Sequence, residues 1–168
     1  MNICFIGGGV MAEALIRGIL NNGISNSSEL LICDPSDERR IYLESEFSIK
    51  TSSTNDVITN FDGLIILAVK PQTAPKVFSS LNGKIKNTSP VMSIVAGLNS
   101  ESIMEGLSHN LVVRVMPNTP AQVGLGISVW IASSGVSDSD KESIKDVLKT
   151  LGDEALLDMS TALSASGP

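Results

Sequence analysis

The sequence predicts an α/β protein with a doubly wound, mostly parallel sheet and helices on both faces. Short apolar runs alternate along the chain with stretches of helical periodicity, a pattern typical of strands joined by right-handed helical crossovers. One apolar run, residues 63–69, is almost entirely branched aliphatic, which indicates a strand covered by helices on both faces. The length of 168 residues fits one domain with a sizeable core.

The individual elements follow from these patterns and from turn and cap residues between them. Strands are predicted at Ile3–Ile6, Leu30–Asp34, Ile49–Thr51, Gly63–Val69, Pro90–Val95, Leu111–Met116, Gly126–Ala132 and Glu154–Leu157. Helices are predicted at Val10–Leu20, after Asp34-Pro35-Ser36, from Thr54-Asn55-Asp56 to about Asn60, and from the cap Ser137–Asp140 to Leu151.

A glycine-rich turn joins the first strand to the first helix. Gly7, Gly9 and Ala12 fit the spacing G-x-G-x-x-G/A of a dinucleotide-binding turn in a Rossmann-type fold. The first glycine permits a tight turn, the second lets a pyrophosphate approach the backbone, and the small third residue lets the helix pack on the strand. An ordinary glycine-rich strand–helix turn is the alternative, but the strand before it and the helix after it favour the dinucleotide interpretation.

Composition excludes several other classes of function. The net charge is −6 and no cluster of Lys and Arg is present, which argues against nucleic-acid binding. The longest apolar run is too short to span a bilayer, so we expect a cytoplasmic protein without a membrane partner. Cys4 and Cys33 lack the spacing of a zinc site and are predicted to be buried, reduced thiols. We predict no metal site, and His109 has no partner by motif and receives no catalytic role.

Charged residues follow the ends of two predicted strands. Asp34 lies where an acidic residue binds the ribose 2′-hydroxyl of a dinucleotide, although it also reads as a helix cap. Arg39 and Arg40 come next and would either meet a 2′-phosphate or lie in solvent. Lys70 follows the fourth strand at the carboxyl edge, where ligands of open α/β sheets bind; a solvated lysine is the alternative.

Several motifs together resemble the pyrroline-5-carboxylate reductase family. The resemblance is carried by F-I-G-G-G-V-M at 5–11, A-V-K-P at 68–71, S-I-V-A-G at 93–97, R-V-M-P-N-T-P at 114–120 and S-A-S-G-P at 164–168. It covers essentially the whole chain, and A-V-K-P followed by M-P-N-T-P is more specific than the glycine turn.

This resemblance implies an enzyme of proline biosynthesis, which passes a hydride from NADP(H), or from NAD(H), to the cyclic imine 1-pyrroline-5-carboxylate and forms L-proline. No acid–base residue is assigned, because a protonated imine is already electrophilic and mainly needs positioning. By position in the motifs, the pyrophosphate would be held by Ile6, Gly7, Gly8, Gly9, Val10 and Met11, and the adenosine ribose would lie by Ser36 and Asn55. The nicotinamide half would lie along Ala68, Val69, Lys70, Pro71, Val95, Ala96 and Gly97, and the substrate side would be faced by Asn118, Thr119 and Lys70.

Two departures from the family matter. Asp34 would repel the 2′-phosphate of NADPH, whereas Arg39, Arg40 and the family habit favour NADPH, so we expect NADPH to bind at least as well as NADH. We also expect residues 1–160 to form the dinucleotide-binding domain and residues 161–168 to begin the link to a helical domain that carries the dimer interface and part of the substrate site. The isolated chain should then turn over little substrate, while the parent would form a homodimer or higher oligomer.

Two other functions compete with this one. A non-catalytic dinucleotide-binding module would not need the A-V-K-P and M-P-N-T-P loops, which favour the enzyme. A related reductase, such as an F420-dependent NADP oxidoreductase, would share the N-terminal fold, but the closing S-A-S-G-P counts against it.

Overall fold

The computed structural model describes residues 1–118 and 126–156, and one eight-stranded sheet runs through them. Its strands are Ile3–Ile6 (β1), Leu30–Cys33 (β2), Lys50–Ser52 (β3), Leu64–Leu67 (β4), Val91–Ser93 (β5), Val112–Pro117 (β6), Gly126–Ala132 (β7) and Gly152–Leu156 (β8). The α-helices of this part of the chain are Val10–Asn21 (α1), Asp37–Phe47 (α2), Ala74–Leu81 (α3), Ser100–Leu107 (α4) and Asp138–Lys149 (α5). Short 3₁₀ helices lie at Ser27–Glu29, Asp56–Asn60 and Pro71–Thr73.

The strand order is β3-β2-β1-β4-β5-β6-β7-β8. Neighbouring strands are parallel except β6 and β7, which are antiparallel. The chain moves from β1 outward through β2 to β3 and then returns to the other side of β1 with β4, so the order reverses between β1 and β4. The predicted doubly wound, mostly parallel sheet is therefore confirmed, and the crevice at such a reversal is where ligands of open α/β sheets bind.

Helices cover both faces of the sheet because successive strand residues point to opposite sides. Ile3 and Phe5 of β1 pack into one core, and Cys4 and Ile6 pack into the other. The first core joins the sheet to α1, α2 and α5, and the second joins it to α3 and α4. All four β1 residues are buried, as expected for a strand at the centre of a two-sided sheet.

Most predicted boundaries agree with the observed elements. The difference that matters for the site is in the strand predicted at residues 63–69. The observed strand β4 is shorter and ends at Leu67. Ala68 and Val69 continue as half-buried loop residues and lie at the edge of the sheet instead of within it. Within residues 1–118 and 126–156, no helix has the length and apolarity needed to cross a bilayer. The same residues contain no cluster of His, Cys, Asp and Glu that could hold a metal ion.

Candidate functional site

A cavity of about 620 Å³ lies at the carboxyl ends of β1, β2 and β4, against one side of α3. This is the reversal point of the strand order. Its lining consists of Ile6, Gly7, Gly9, Cys33, Asp34, Pro35, Ser53, Thr54, Asn55, Ala68, Val69, Lys70, Thr73, Lys76, Val77 and Ser80.

Gly7 closes the turn after β1 through its own backbone geometry. Its φ of +96° lies in the region that favours glycine, and its N–H donates to the carbonyl oxygen of Cys33 at 2.8 Å. A Cβ at this position would lie 2.7 Å from the carbonyl oxygen of Ala68. Gly7 therefore lets the β1 and β4 ends approach each other beside the cavity.

Gly8 lies directly against side chains that pack below the turn. A Cβ there would lie 2.8 Å from Cδ1 of Leu43 and 3.4 Å from Oδ2 of Asp34. The Gly8 N–H donates to the same Asp34 oxygen at 2.8 Å. The turn is thus bound directly by the Asp34 carboxylate, and the closest packing at Gly8 comes from Leu43.

Gly9 differs from both, because nothing in the described chain requires a glycine there. Its φ of −68° is open to any residue, and a Cβ would meet no atom within 4 Å. Gly9 is also the N-cap of α1 and lines the cavity, and no capping side chain covers the first N–H groups of the helix. Empty space beside the positive end of a helix fits the close approach of a pyrophosphate.

The Asp34 carboxylate is fixed at the β2 end of the cavity. Oδ2 accepts from Gly8 N–H, and Oδ1 accepts from Ser36 N–H at 2.9 Å. Ser36, not Asp34, is the N-cap of α2, since its hydroxyl accepts from the Arg39 N–H at 3.2 Å. The cap interpretation of Asp34 is therefore wrong: the carboxylate orders the turn and the helix start, and it faces the cavity.

Arg39 and Arg40 are both held by other groups. Arg39 donates to the carbonyl oxygen of Gly8, and its Nη2 lies 2.5 Å from a carboxylate oxygen of Glu13. Arg40 donates to the Asp34 carbonyl oxygen at 2.7 Å and pairs with Asp37. Neither arginine belongs to the cavity lining, and neither is simply solvated.

The β4 end of the cavity is built from backbone and small side chains. The Ala68 N–H donates to the Ile6 carbonyl oxygen at 2.9 Å, so the segment stays attached to β1 after β4 ends. Ala68, Val69 and Lys70 line the cavity, and Pro71 then begins a 3₁₀ helix that turns the chain into α3.

The predicted dinucleotide residues divide into two groups. The cavity lining includes Ile6, Gly7, Gly9, Asp34, Asn55, Ala68, Val69 and Lys70. Outside the lining are Gly8, Val10, Met11, Ser36, Pro71, Val95, Ala96 and Gly97. The binding roles of both groups remain predictions.

The substrate-side candidates are only partly described. Asn118 lies at the end of β6, outside the cavity lining, and its Oδ1 accepts from the Ile127 N–H at 3.0 Å. Thr119 lies outside the described residues. Lys70 is exposed and lines the cavity.

Sequence reasoning missed one wall of the cavity. Thr73, Lys76, Val77 and Ser80 form it from the start and inner side of α3. No helix was predicted from the sequence at the position of α3. With a helix placed after A-V-K-P, the spacing of three, four and seven residues would have put these side chains on one helix face. Ser53 and Thr54, after β3, also line the cavity.

The two cysteines and the histidine are buried, as the sequence predicted for the thiols. The sulfurs of Cys4 and Cys33 lie 3.9 Å apart, and the Cys33 contact together with burial raises the pKa of the Cys4 thiol. His109 binds the Ser89 carbonyl oxygen at 2.9 Å, and burial lowers the pKa of its ring. His109 also lies outside the cavity lining.

Comparison with known proteins places these features in a family. The chain is 38% identical over 174 residues to pyrroline-5-carboxylate reductase 2 of Bacillus subtilis, covering 99% of the chain and 62% of that protein. It is 34% identical over 168 residues to pyrroline-5-carboxylate reductase of Synechocystis, covering 97% of the chain and 62% of that protein. The solved structure of Plasmodium falciparum pyrroline carboxylate reductase with NADP bound matches with a TM-score of 0.80 and 29% identity, covering 100% of the chain and 63% of that protein.

The resemblance inferred from the motifs is thus confirmed, although the chain spans less than two thirds of the length of these relatives. A family model described as NADP oxidoreductase coenzyme F420-dependent matches residues 2–97, which is more than half of the chain. The chain belongs to this NADP oxidoreductase family.

Proposed function

We propose that this chain is the dinucleotide-binding part of an NAD(P)H-dependent pyrroline-5-carboxylate reductase, which forms L-proline. One observation carries the proposal: the ends of β1, β2 and β4, which include the glycine turn and the A-V-K segment, line a single cavity. The open space at Gly9 supports it, because the chain itself gives no reason for a glycine there. The proposed substrate is taken from the names of the relatives, which are pyrroline-5-carboxylate reductases.

Each part of the cavity has a distinct task under this proposal. The first turn of α1 and Gly9 would hold the pyrophosphate through backbone N–H groups and the helix dipole. Asp34 and Asn55 would lie beside the adenosine ribose, and Ala68–Lys70 beside the nicotinamide. When bound, the reduced nicotinamide supplies the hydride for the imine carbon. The chain's contribution is to orient the ring and exclude water from one side of it.

The division of the protein is part of the same proposal. Residues 1–160 would form the dinucleotide-binding domain, and 161–168, which lie outside the described residues, would lead to a helical domain with the dimer interface and a wall of the substrate site. The length of the relatives supports a further domain, because the chain spans 62% of two of them. A cytoplasmic location belongs to the same proposal, because the sequence predicts that Cys4 and Cys33 are reduced thiols.

Binding is the first test. NADH and NADPH are titrated separately into residues 1–168, and we expect saturable binding of at least one dinucleotide. If neither NADH nor NADPH binds, the proposed dinucleotide-binding function is contradicted.

Turnover is the second test. The complete gene product should oxidise NADPH or NADH only when 1-pyrroline-5-carboxylate is supplied, whereas residues 1–168 alone should show little turnover and sediment as a monomer. A misplacement of about 1 Å at the reacting atoms can cost roughly a hundredfold in rate, so a missing substrate wall should be severe. Binding without turnover by the complete product would instead favour a non-catalytic dinucleotide module.

The description of the family model favours a second candidate, an F420-dependent NADP oxidoreductase. The two reductases differ in the partner of the dinucleotide. The complete product is assayed with NADPH and either 1-pyrroline-5-carboxylate or oxidised coenzyme F420. Oxidation of NADPH with coenzyme F420 alone would replace the first proposal with the second.

A further inference from the structure

The two cysteines lie side by side, Cys4 on β1 and Cys33 on β2, with their sulfurs 3.9 Å apart. Both are free thiols, and both pack into the second core, which α3 and α4 cover. Cys4 is completely buried, whereas Cys33 is 2% exposed and belongs to the cavity lining. The pair therefore has one member inside the core and one at the cavity.

The strand register disfavours a disulfide between the two cysteines. Cys4 lies opposite Leu31. Cys33 lies opposite Ile6, so the two cysteines are offset by two residues along the strands. With strands about 4.8 Å apart and a rise of about 3.3 Å per residue, this offset places their Cα atoms about 8 Å apart. A disulfide needs Cα atoms within about 7 Å, so the backbone would have to move before the two sulfurs could bond.

The contact makes the two sulfurs chemically unequal. With Cys4 as the S–H donor, the hydrogen bond lowers the pKa of the Cys33 thiol, and burial opposes this shift without cancelling it. The same contact, together with burial, raises the pKa of the Cys4 thiol. Because the thiolate is the nucleophilic form of cysteine, Cys33 is the member of the pair that reacts. It is also the member that lies at the cavity.

The cavity is the route by which a reagent meets Cys33. Ile6 and Val77 belong to the same core as Cys33, and all three line the cavity. The charged side chains of the lining are Asp34, Lys70 and Lys76. A group attached to the Cys33 sulfur would take up space that a cavity ligand needs, and a bound ligand would in turn cover the sulfur.

We propose that Cys33 is a site of reversible thiol modification, and that the modified residue and a bound dinucleotide exclude each other, the second part resting on the proposed function. The reagents it would take are small disulfides and thiosulfonates. The Cys33 thiolate attacks one sulfur of the reagent, a new S–S bond forms, and the bond between that sulfur and the other sulfur of the reagent breaks. The leaving group departs with the bonding electron pair, and the thiol proton of Cys33 goes to solvent. A small thiol removes the attached group by the same exchange.

The probe is methyl methanethiosulfonate, a small reagent that leaves a methylthio group on cysteine. Residues 1–168 are treated at neutral pH, and peptide mapping by mass spectrometry should find the group on Cys33 and not on Cys4. NADH or NADPH, whichever binds more tightly in a separate titration, is then added at about tenfold its Kd, and modification should slow by about tenfold. The modified protein should bind that dinucleotide at least about tenfold more weakly, and dithiothreitol should restore the affinity.

Substitutions of the two cysteines separate their roles. Cys33→Ser should take up no methylthio group while folded, and its affinity for dinucleotide should not respond to the reagent. Cys4→Ala removes the hydrogen bond, so the pH of half-maximal reaction at Cys33 should rise, and the rate at neutral pH should fall at least about threefold. Cys4→Ser is the matched control, because its hydroxyl can still donate, and its pH profile should stay close to that of wild type. Equal profiles of Cys4→Ala and wild type would overturn the role of Cys4 as donor.

Several outcomes with wild-type protein would overturn the inference, and none of them needs a variant to fold. They are a methylthio group on Cys4, a disulfide between Cys4 and Cys33, and no modification of the folded chain. Modification of Cys33 at an unchanged rate in the presence of bound dinucleotide would overturn the mutual exclusion. If neither NADH nor NADPH binds in the separate titration, the proposed function is contradicted instead, and the reaction of Cys33 in the free chain still tests the modification site.

Discussion

The strand side and the helix side of the glycine turn contain the same residue type for different reasons. On the strand side, the packing of the chain itself favours glycine, because a Cβ would lie 2.7 Å from backbone at Gly7 and 2.8 Å from the Leu43 side chain at Gly8. On the helix side, Gly9 has an ordinary φ and open space around its Cα. The first two glycines build the turn, and the third leaves room next to it.

This difference separates folding from binding within three consecutive residues. Substitutions on the strand side should change mainly the free energy of unfolding, and substitutions on the helix side should change mainly the affinity for dinucleotide. A motif match alone cannot make this separation, because the spacing G-x-G-x-x-G/A treats its glycines alike.

The largest expected effect is that of Gly7→Ala on stability. Its φ of +96° strains any side chain, and the new Cβ would meet the backbone of Ala68, which cannot move easily. We expect a loss of about 3 kcal/mol in the free energy of unfolding, measured by urea denaturation. Gly23→Ala is the control, because Gly23 has a φ of +64° but no atom within 4 Å of its Cβ position. Equal losses in the two variants would mean that the contact with Ala68 costs nothing.

Gly9→Val should have the next largest effect, and mainly on affinity. The side chain would fill the space beside the first turn of α1, so the affinity for dinucleotide should fall by about a hundredfold. The backbone conformation accepts valine, so the free energy of unfolding should fall only by the cost of a poorer N-cap, about 1 kcal/mol or less. The affinity of Gly9→Ala for dinucleotide should lie between those of wild type and Gly9→Val. Undiminished affinity for both NADH and NADPH would place the pyrophosphate elsewhere.

Gly8→Ala should cost less than Gly7→Ala, because its nearest obstacle is movable. The new Cβ would lie 2.8 Å from Cδ1 of Leu43, the far end of a flexible side chain. We expect a loss of about 1 kcal/mol. Leu43→Val shortens that side chain, and in a double-mutant cycle it should recover part of the loss. Strict additivity of the two substitutions would show that Gly8 and Leu43 do not interact.

Local sequence signals predicted much of the fold, but they predicted fewer of the contacts within the site. The buried run at residues 64–67 and the glycine turn were recognisable because apolar periodicity and turn chemistry are properties of neighbouring residues. The contact of Asp34 with Gly8 was not, since it joins residues 26 positions apart through two side-by-side strands. The role of Arg39 was ambiguous for the same reason, because its partners Gly8 and Glu13 lie 31 and 26 positions away.

The α3 wall shows a second limit of the sequence. The spacing of Thr73, Lys76 and Ser80 is visible in the chain, but which helix face meets the cavity depends on how α3 packs on the sheet. That packing is fixed by Val77, Phe78 and Leu81, which are buried in the second core. Helical periodicity predicts the buried face, and the residues beside that face become a cavity wall only once β1 and β4 are placed next to each other.

The smallest expected effect is that of replacing Glu13. Its carboxylate pairs with Arg39, which donates to the Gly8 carbonyl oxygen on the strand side of the turn. Burial alone would raise the pKa of Glu13, but hydrogen bonds from Arg39 and Tyr42 outweigh it and lower the pKa below its ordinary value of 4.5. A carboxylate with a lowered pKa stabilises the fold above its unfolded pKa, and this contribution is lost as the pH falls through the folded pKa. Glu13→Gln should therefore cost under about 1 kcal/mol at pH 7, since both partners are partly exposed. The difference from wild type should shrink as urea midpoints are measured at successively lower pH below 4.5. A Glu13 difference that stays constant or grows on acidification would mean that Arg39 holds the turn without help from Glu13.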